Sequence, residues 1–328
     1  MRCKAACFAI TVFLALGTAG AQGDDWQQMM DQGQAQAHAG RYAGAAASFR
    51  DAVHMAEKLG SGDVRLVKAV NALAMADDEL GQYADAERQY RRALSLVKAR
   101  AGNDCPDYAL LLANLAALKL QTGETAAGEE MIRESIAVYS RAVPAGDPHL
   151  VAARNCLAEL LVKKKELAEA ERLLQEVIAV VEKWPGPPPA ILGVTLNNLG
   201  AVRRYQGRPD EAARLIEEAL RILGDNIGTD HPTILRAENN LAIVYAELGR
   251  HQDADAAFQR AVAMGERILG TEHPVYGSLL RNYADFLRKT GHKPQAKVLE
   301  ARSKAILQES ARRNGTGMTV DVAAFRQP

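Results

Sequence analysis

"TLNNLGAVRRYQGRPDEAARLIEEAL", residues 195–220, is followed by "AENNLAIVYAELGRHQDADAAFQRAV", residues 237–262, at a shift of 42. The shift lays Asn197-Asn198 on Asn239-Asn240, Gly207 on Gly249 and Ala212 on Ala254. Outward from this pair the marker glycines Gly81, Gly123, Gly207, Gly249 and Gly291 keep the same period. Lys165 fills the one vacant slot, and Gly40 comes one residue closer than the period asks. Recurrence at this length means stacked supersecondary units, each burying its apolar face against the next. The chain is therefore expected to be an all-α solenoid.

Each period reads as two helices. In the fifth, the first helix is predicted over Ala190 to Tyr205, with Gly207 as its stop. Pro209 and Asp210 open the second helix, where proline costs little. The small pair Gly200 and Ala212 predicts a close approach of the two helices, repeated at Ala242 with Ala254 and Ala284 with Ala296. Seven units fit, at about 26–63, 64–105, 106–147, 148–189, 190–231, 232–273 and 274–310. The first is polar in its first helix (Gln27, Gln28, Gln32, Gln34, Gln36), as a terminal capping repeat should be.

The two ends are a different text. Arg2 and Lys4 precede an apolar run from Ala5 to Leu16, and Ala19-Gly20-Ala21 supplies a small-x-small pattern. Residues 1–21 read as a secretory signal peptide, which predicts an exported protein, periplasmic or secreted. No other stretch is expected to span a membrane, which takes about 20 apolar residues. The repeat domain then covers 22–310. A polar tail, 311–328, follows and carries a short apolar run from Val320 to Phe325, expected to be disordered or partly docked.

Composition narrows the function. Aromatic residues are 5% of the chain, and the formal charge is +0, so no basic field predicts a nucleic-acid partner. Cys105 and Cys156 remain beyond the leader, at different depths in their repeats. The offset corresponds to about 13 Å along the helix axis. A disulfide needs Cα atoms within about 7 Å, so two separate thiols are expected. The sequence holds no His-Glu-x-x-His, Cys-x-x-Cys, Gly-x-Ser-x-Gly or phosphate-binding glycine loop. His231-Pro232 and His273-Pro274 are one repeat position seen twice. Equivalent positions on adjacent units stand about 10 Å apart. The pairs therefore read as helix starts and not as ligands of one metal. No catalytic residue, metal or cofactor is expected, and the chain is read as a non-enzyme.

"LNNLG" (196–200), "ENNLA" (238–242), the G-x-x-x-x-A turns and the loops "LGDNIGTDHP" (223–232) and "LGTEHP" (269–274) resemble the tetratricopeptide repeat. The resemblance is to its 42-residue form, found in kinesin light chains and many bacterial proteins. It implies a right-handed superhelical solenoid of about seven helix-turn-helix repeats, with the first helix of each pair lining a concave groove. It also implies groove positions ten, nine, six, three and two residues before the turn marker. The first two of these carry Asn71, Asn114, Asn155, Asn197, Asn198, Asn239, Asn240 and Asn282. A carboxamide both donates and accepts, so such a column suits the amides of an extended peptide, and it equally suits ties between neighbouring helices. Asn197 and Asn239 are expected to face the groove more than Asn198 and Asn240, which adjoin packed leucines.

Charge adds a second expectation. Arg204, Arg236, Arg281, Arg288 and Lys289, against Glu247 and Asp285, make the C-terminal half of the groove lean basic. Lys68, Asp78, Glu79, Glu159 and Lys163 occupy the earlier half. An acidic peptide segment or terminal carboxylate would suit the later half, with Tyr205 as an apolar contact. The expected function is a non-catalytic module that binds a protein or peptide partner in the groove. The alternative is an accessory subunit of an envelope complex docked by its convex face or edges.

Overall fold

The computed structural model describes residues 21–313. The leader and tail readings fall largely outside these residues. Among the described residues lie fourteen α-helices in seven consecutive pairs, and no strand. The pairs are α1 (Ala21–His38) with α2 (Tyr42–Glu57), α3 (Val64–Glu79) with α4 (Tyr83–Ala101), and α5 (Pro106–Thr122) with α6 (Thr125–Ala142). They continue with α7 (Pro148–Lys164) and α8 (Leu167–Val181), α9 (Ala190–Tyr205) and α10 (Pro209–Ile227), α11 (Pro232–Glu247) and α12 (His251–Leu269), then α13 (Pro274–Lys289) and α14 (Lys293–Arg313). No described helix is long and apolar enough to cross a membrane.

The turn inside each pair explains the marker. In the fifth unit Gly207 has φ 75°, and the Arg208 N–H reaches back to the Arg203 carbonyl at 2.9 Å. That bond satisfies a carbonyl the helix would otherwise leave unpaired. Lys165 adopts the same left-handed conformation, φ 64°, and Glu166 N–H closes on Leu161 O at 2.8 Å. The fourth unit thus keeps the turn without the glycine, at about 1 kcal/mol for a side chain in that region.

The start of each first helix from the second unit on follows a second column. Asp63, Cys105, Asp147, Pro189, His231 and His273 hold one repeat position, immediately before α3, α5, α7, α9, α11 and α13. Asp63 accepts from Arg65 N–H at 2.8 Å and Asp147 from His149 N–H at 2.9 Å. His231 Nδ1 accepts from Thr233 N–H at 3.2 Å, and His273 Nδ1 from Val275 N–H at 3.1 Å. The His-Pro pairs are therefore an N-cap followed by a proline at the first helical position. The described residues contain no group of three or more His, Cys, Asp or Glu that could hold a metal ion.

The core runs the length of the array between its two helical layers. One stretch is built from Ala212, Ile216, Leu223, Leu235, Ala242 and Phe258, another from Ile132, Tyr139, Leu157, Leu161 and Leu174. A third, around Phe49, Val70 and Leu111, joins the first units. Alanine at the contact positions lets helices approach closely, which is why a core with few aromatic rings still packs. Buried hydroxyls tie the layers at equivalent places, Ser135 Oγ to Ala109 O and Ser303 Oγ to Gly277 O, each at 2.6 Å.

Cys105 is free and half-buried, so it does not pair with Cys156. Cys156 is buried in the core beside Leu157. The two cysteines are separate, as their offset along the helix axis requires.

Candidate peptide-binding groove

First helices of neighbouring units touch one another, α5 on α7, α7 on α9, α9 on α11 and α11 on α13, forming the inner layer. Along this layer the asparagines form a ladder. Asn114 Nδ2 donates to Asn71 Oδ1, Asn240 Nδ2 to Asn197 Oδ1 and Asn282 Nδ2 to Asn239 Oδ1, each at 3.0 Å. All three bonds join residues 43 apart, from nine before one marker to ten before the previous one. The ladder skips the joint between the third and fourth units, where Ala113 and Cys156 hold the two slots. At the next joint Asn155 Nδ2 turns to Thr195 Oγ1 at 2.9 Å, and its Oδ1 is buried without a hydrogen-bond partner.

The amides therefore tie units together, the second of the two roles their chemistry allows. Their exposure divides them. Asn71, Asn197, Asn240 and Asn282 are half-buried, whereas Asn114, Asn155, Asn198 and Asn239 are buried. The expectation that Asn197 faces the groove more than Asn198 agrees with this. For the next unit the order is reversed: Asn239 is buried and Asn240 is the more exposed. The bond that Asn197 and Asn239 each accept from the next unit is the same, so the difference lies in the packing around Asn239 and not in the ladder itself.

Replacing Asn239 alone with alanine leaves the Asn282 amide without its acceptor. We expect a loss of about 1–2 kcal/mol in urea unfolding. Asn155→Ala, which removes a side chain whose oxygen is already unpartnered, is expected to cost less in the same measurement.

The arginines are more engaged than their sequence suggests. Arg204 pairs with Glu247 at 2.9 Å, from one first helix to the next, and its guanidinium lies 4.3 Å from the Tyr205 ring centre. Tyr205 is half-buried against the core. Arg288 is exposed and pairs with Asp285 and Glu300. Arg281 is half-buried. Arg236 differs: it takes part in none of the ion pairs among the described residues, yet lies within electrostatic reach of Tyr42, Asp78 and Glu79.

Those partners stand on the opposite end of the array. Asp78 and Glu79 close α3 and keep only partial contact with solvent. Burial drives the Asp78 carboxyl well above the usual range, and the neighbouring Glu79 charge adds to the rise. Burial also raises Glu79, with Arg236 opposing it. Gln121 Nε2 donates to Asp78 at 3.3 Å, and Asp77 beside it is buried. His231 is pushed down to about 4, first by burial and then by Arg236 and His38. Arg236 on α11 thus lies within electrostatic reach of the end of α3, a relation no local reading of the sequence could supply.

An inner layer of first helices lined by paired amides and crossed charges defines a helical repeat scaffold, and its fold is that of a protein-interaction module. The tetratricopeptide repeat models match residues 12–62, 67–107, 149–225 and 228–309, and the chain belongs to that family. No curated relative matches the chain. Among solved structures it is similar to the Rap conjugation gene regulator of the plasmid pLS20 in complex with the Phr* peptide. That likeness has a TM-score of 0.66 at 12% identity, over 93% of this chain and 79% of the other. A Rap protein complexed with Competence and Sporulation Factor gives 0.61 at 12% identity, over 89% and 98%. BtubC (BKLC) from P. vanneervenii gives 0.48 at 21% identity, over 77% and 94%.

Proposed function

We propose that the chain is an exported, non-catalytic module that holds an extended peptide, or an extended segment of a protein partner, in its concave groove. The observation that carries this reading is the amide ladder, because its half-buried members Asn197, Asn240 and Asn282 present carboxamides on three successive first helices, α9, α11 and α13, with Asn71 on α3. A peptide backbone offers one donor and one acceptor per residue, which such a row can meet whatever the side chains. Arg236, outside the ion pairs of the array, suits an acidic group of the ligand, and Tyr205 an apolar side chain. The Phr* peptide in the Rap complex supports the mode by analogy of fold. Export rests on Arg2, Lys4, the apolar run and the Ala19-Gly20-Ala21 pattern.

The test removes Asn197 and Asn240 together. They are bonded to one another, so neither is left without that partner; Asn197 Nδ2 also lies 3.5 Å from Asn198 Oδ1, and a loss of stability under about 1 kcal/mol is expected. Peptides selected on the wild-type chain from a random display library are then titrated against Asn197→Ala/Asn240→Ala. Binding weakened by at least about tenfold, a loss of roughly 1.4 kcal/mol, with helix content preserved, is the expected result. Unchanged affinity would refute the groove as the binding surface.

A further inference from the structure

The second unit and the seventh meet, although 194 residues separate the atoms that touch. His273 Nε2 lies 2.7 Å from the Glu79 carbonyl oxygen, which can only accept. Its Nδ1 receives the Val275 N–H, so the ring is neutral with its proton on Nε2. One imidazole thus caps α13 and grips the end of α3.

Beside this bond the Gly81 backbone packs against the Pro274 ring without spare room. A Cβ placed on Gly81 would fall 2.8 Å from Pro274 Cδ and 3.1 Å from its Cγ. The turn glycines Gly40, Gly207, Gly249 and Gly291 have the same left-handed backbone and open space where a Cβ would point. Glycine at 81 therefore answers two demands, the turn and the contact. Arg236 on α11 lies within electrostatic reach of Tyr42, Asp78 and Glu79, the last of which supplies the carbonyl of this contact.

We propose that the Glu79–Gly81 turn and the His273–Pro274 cap form a latch that closes the superhelix on itself, and that opening it admits the extended ligand to the bore. The ligand half of this inference rests on the function proposed above. A solenoid has only small rotations between units, so a contact five units away fixes the sum of those rotations. With the seam closed, an extended chain must thread past the Glu79–His273 contact or wait for it to part. A binding-competent state that is rarely populated lowers both the apparent affinity and the association rate.

The experiment compares Gly81→Ala with Gly249→Ala. Both place alanine at φ +73, and only the first drives a methyl into Pro274. His273→Asn is the second probe, since asparagine is a good N-cap but loses the imidazole Nε2–H donor to Glu79. Small-angle scattering is expected to show a larger radius of gyration for Gly81→Ala and His273→Asn than for wild type or Gly249→Ala, with helix content equal in all four. A display-selected peptide is expected to associate at least ~3-fold faster with the two latch variants. Identical scattering for Gly81→Ala and Gly249→Ala would overturn the latch. An expanded shape with unchanged association would overturn its role as a gate. If no peptide binds any of the four proteins, the binding reading fails and the gate with it, while scattering alone still decides whether the latch exists.

Discussion

Replacing Gly200 with valine is expected to destabilise the array by about 2–3 kcal/mol, read as a lower urea midpoint. Gly200 sits mid-way along α9 where that helix crosses α10. A Cβ there would lie 2.7 Å from Ile216 Cγ1 and 3.2 Å from the Ala212 carbonyl oxygen. The isoleucine can shift a little; the carbonyl belongs to a helix and cannot. Alanine would offset part of its clash with the roughly 1 kcal/mol that separates it from glycine in a helix. Valine gains less propensity and adds two further methyls against a core with no space. Because each repeat is held by its neighbours, loosening the fifth uncouples the units on either side. The transition is therefore expected to broaden as well as move. A change below about 0.5 kcal/mol would mean that α9 and α10 are not in close contact in solution.

Asp77→Asn is expected to act in the opposite direction, stabilising the protein at pH 7.5 by on the order of 2 kcal/mol. Asp77 is 4% exposed, and its carboxyl is raised to about 6, mainly by burial and then by Asp85, with Arg50 and Arg88 opposing. A carboxyl raised on folding binds more protons in the folded state than in the unfolded one. Its contribution is favourable below the ordinary aspartate value near ~4 and is lost as pH rises through the folded value. At pH 7.5 the wild type therefore carries a buried charge that asparagine removes, and at pH 4 it does not. The gain should shrink steadily between those limits. His231, lowered to about 4, has the reverse dependence, with stability lost as pH falls from the ordinary histidine value near ~6.5 toward 4. The comparison must therefore be made as variant minus wild type at each pH. A gain independent of pH would show that Asp77 is not charged and buried at neutral pH.

What the sequence made legible was whatever repeats. The 42-residue period carries the helix pairs, the turn at Gly207 and the close approach at Gly200, because each depends on residues within one unit. Lys165 could be read as a turn without glycine, since the rest of its repeat is regular. His231 and His273 were visible as one recurring slot, but Asp63 and Asp147 differ from them in type, so only the structure shows that these occupants share one task. The asparagines were found, and both of their possible roles with them. Which amide bonds which, and which of a pair is buried, depends on the register and packing between neighbouring helices, which sequence neighbours do not state. The seam between Glu79 and His273 lay beyond reach altogether. It arises from rotations summed over five units, and no residue pattern states that sum.

The measurement that bears most directly on the central claim is photo-crosslinking from a display-selected peptide carrying a photoreactive residue, mapped by mass spectrometry on the full chain. Crosslinks confined to the first helices, around Asn197 on α9, Asn240 on α11 and Asn282 on α13, are the expected result. Crosslinks on the outer faces of α10, α12 and α14, with the inner layer unmarked, would contradict the groove and place the partner on the convex surface.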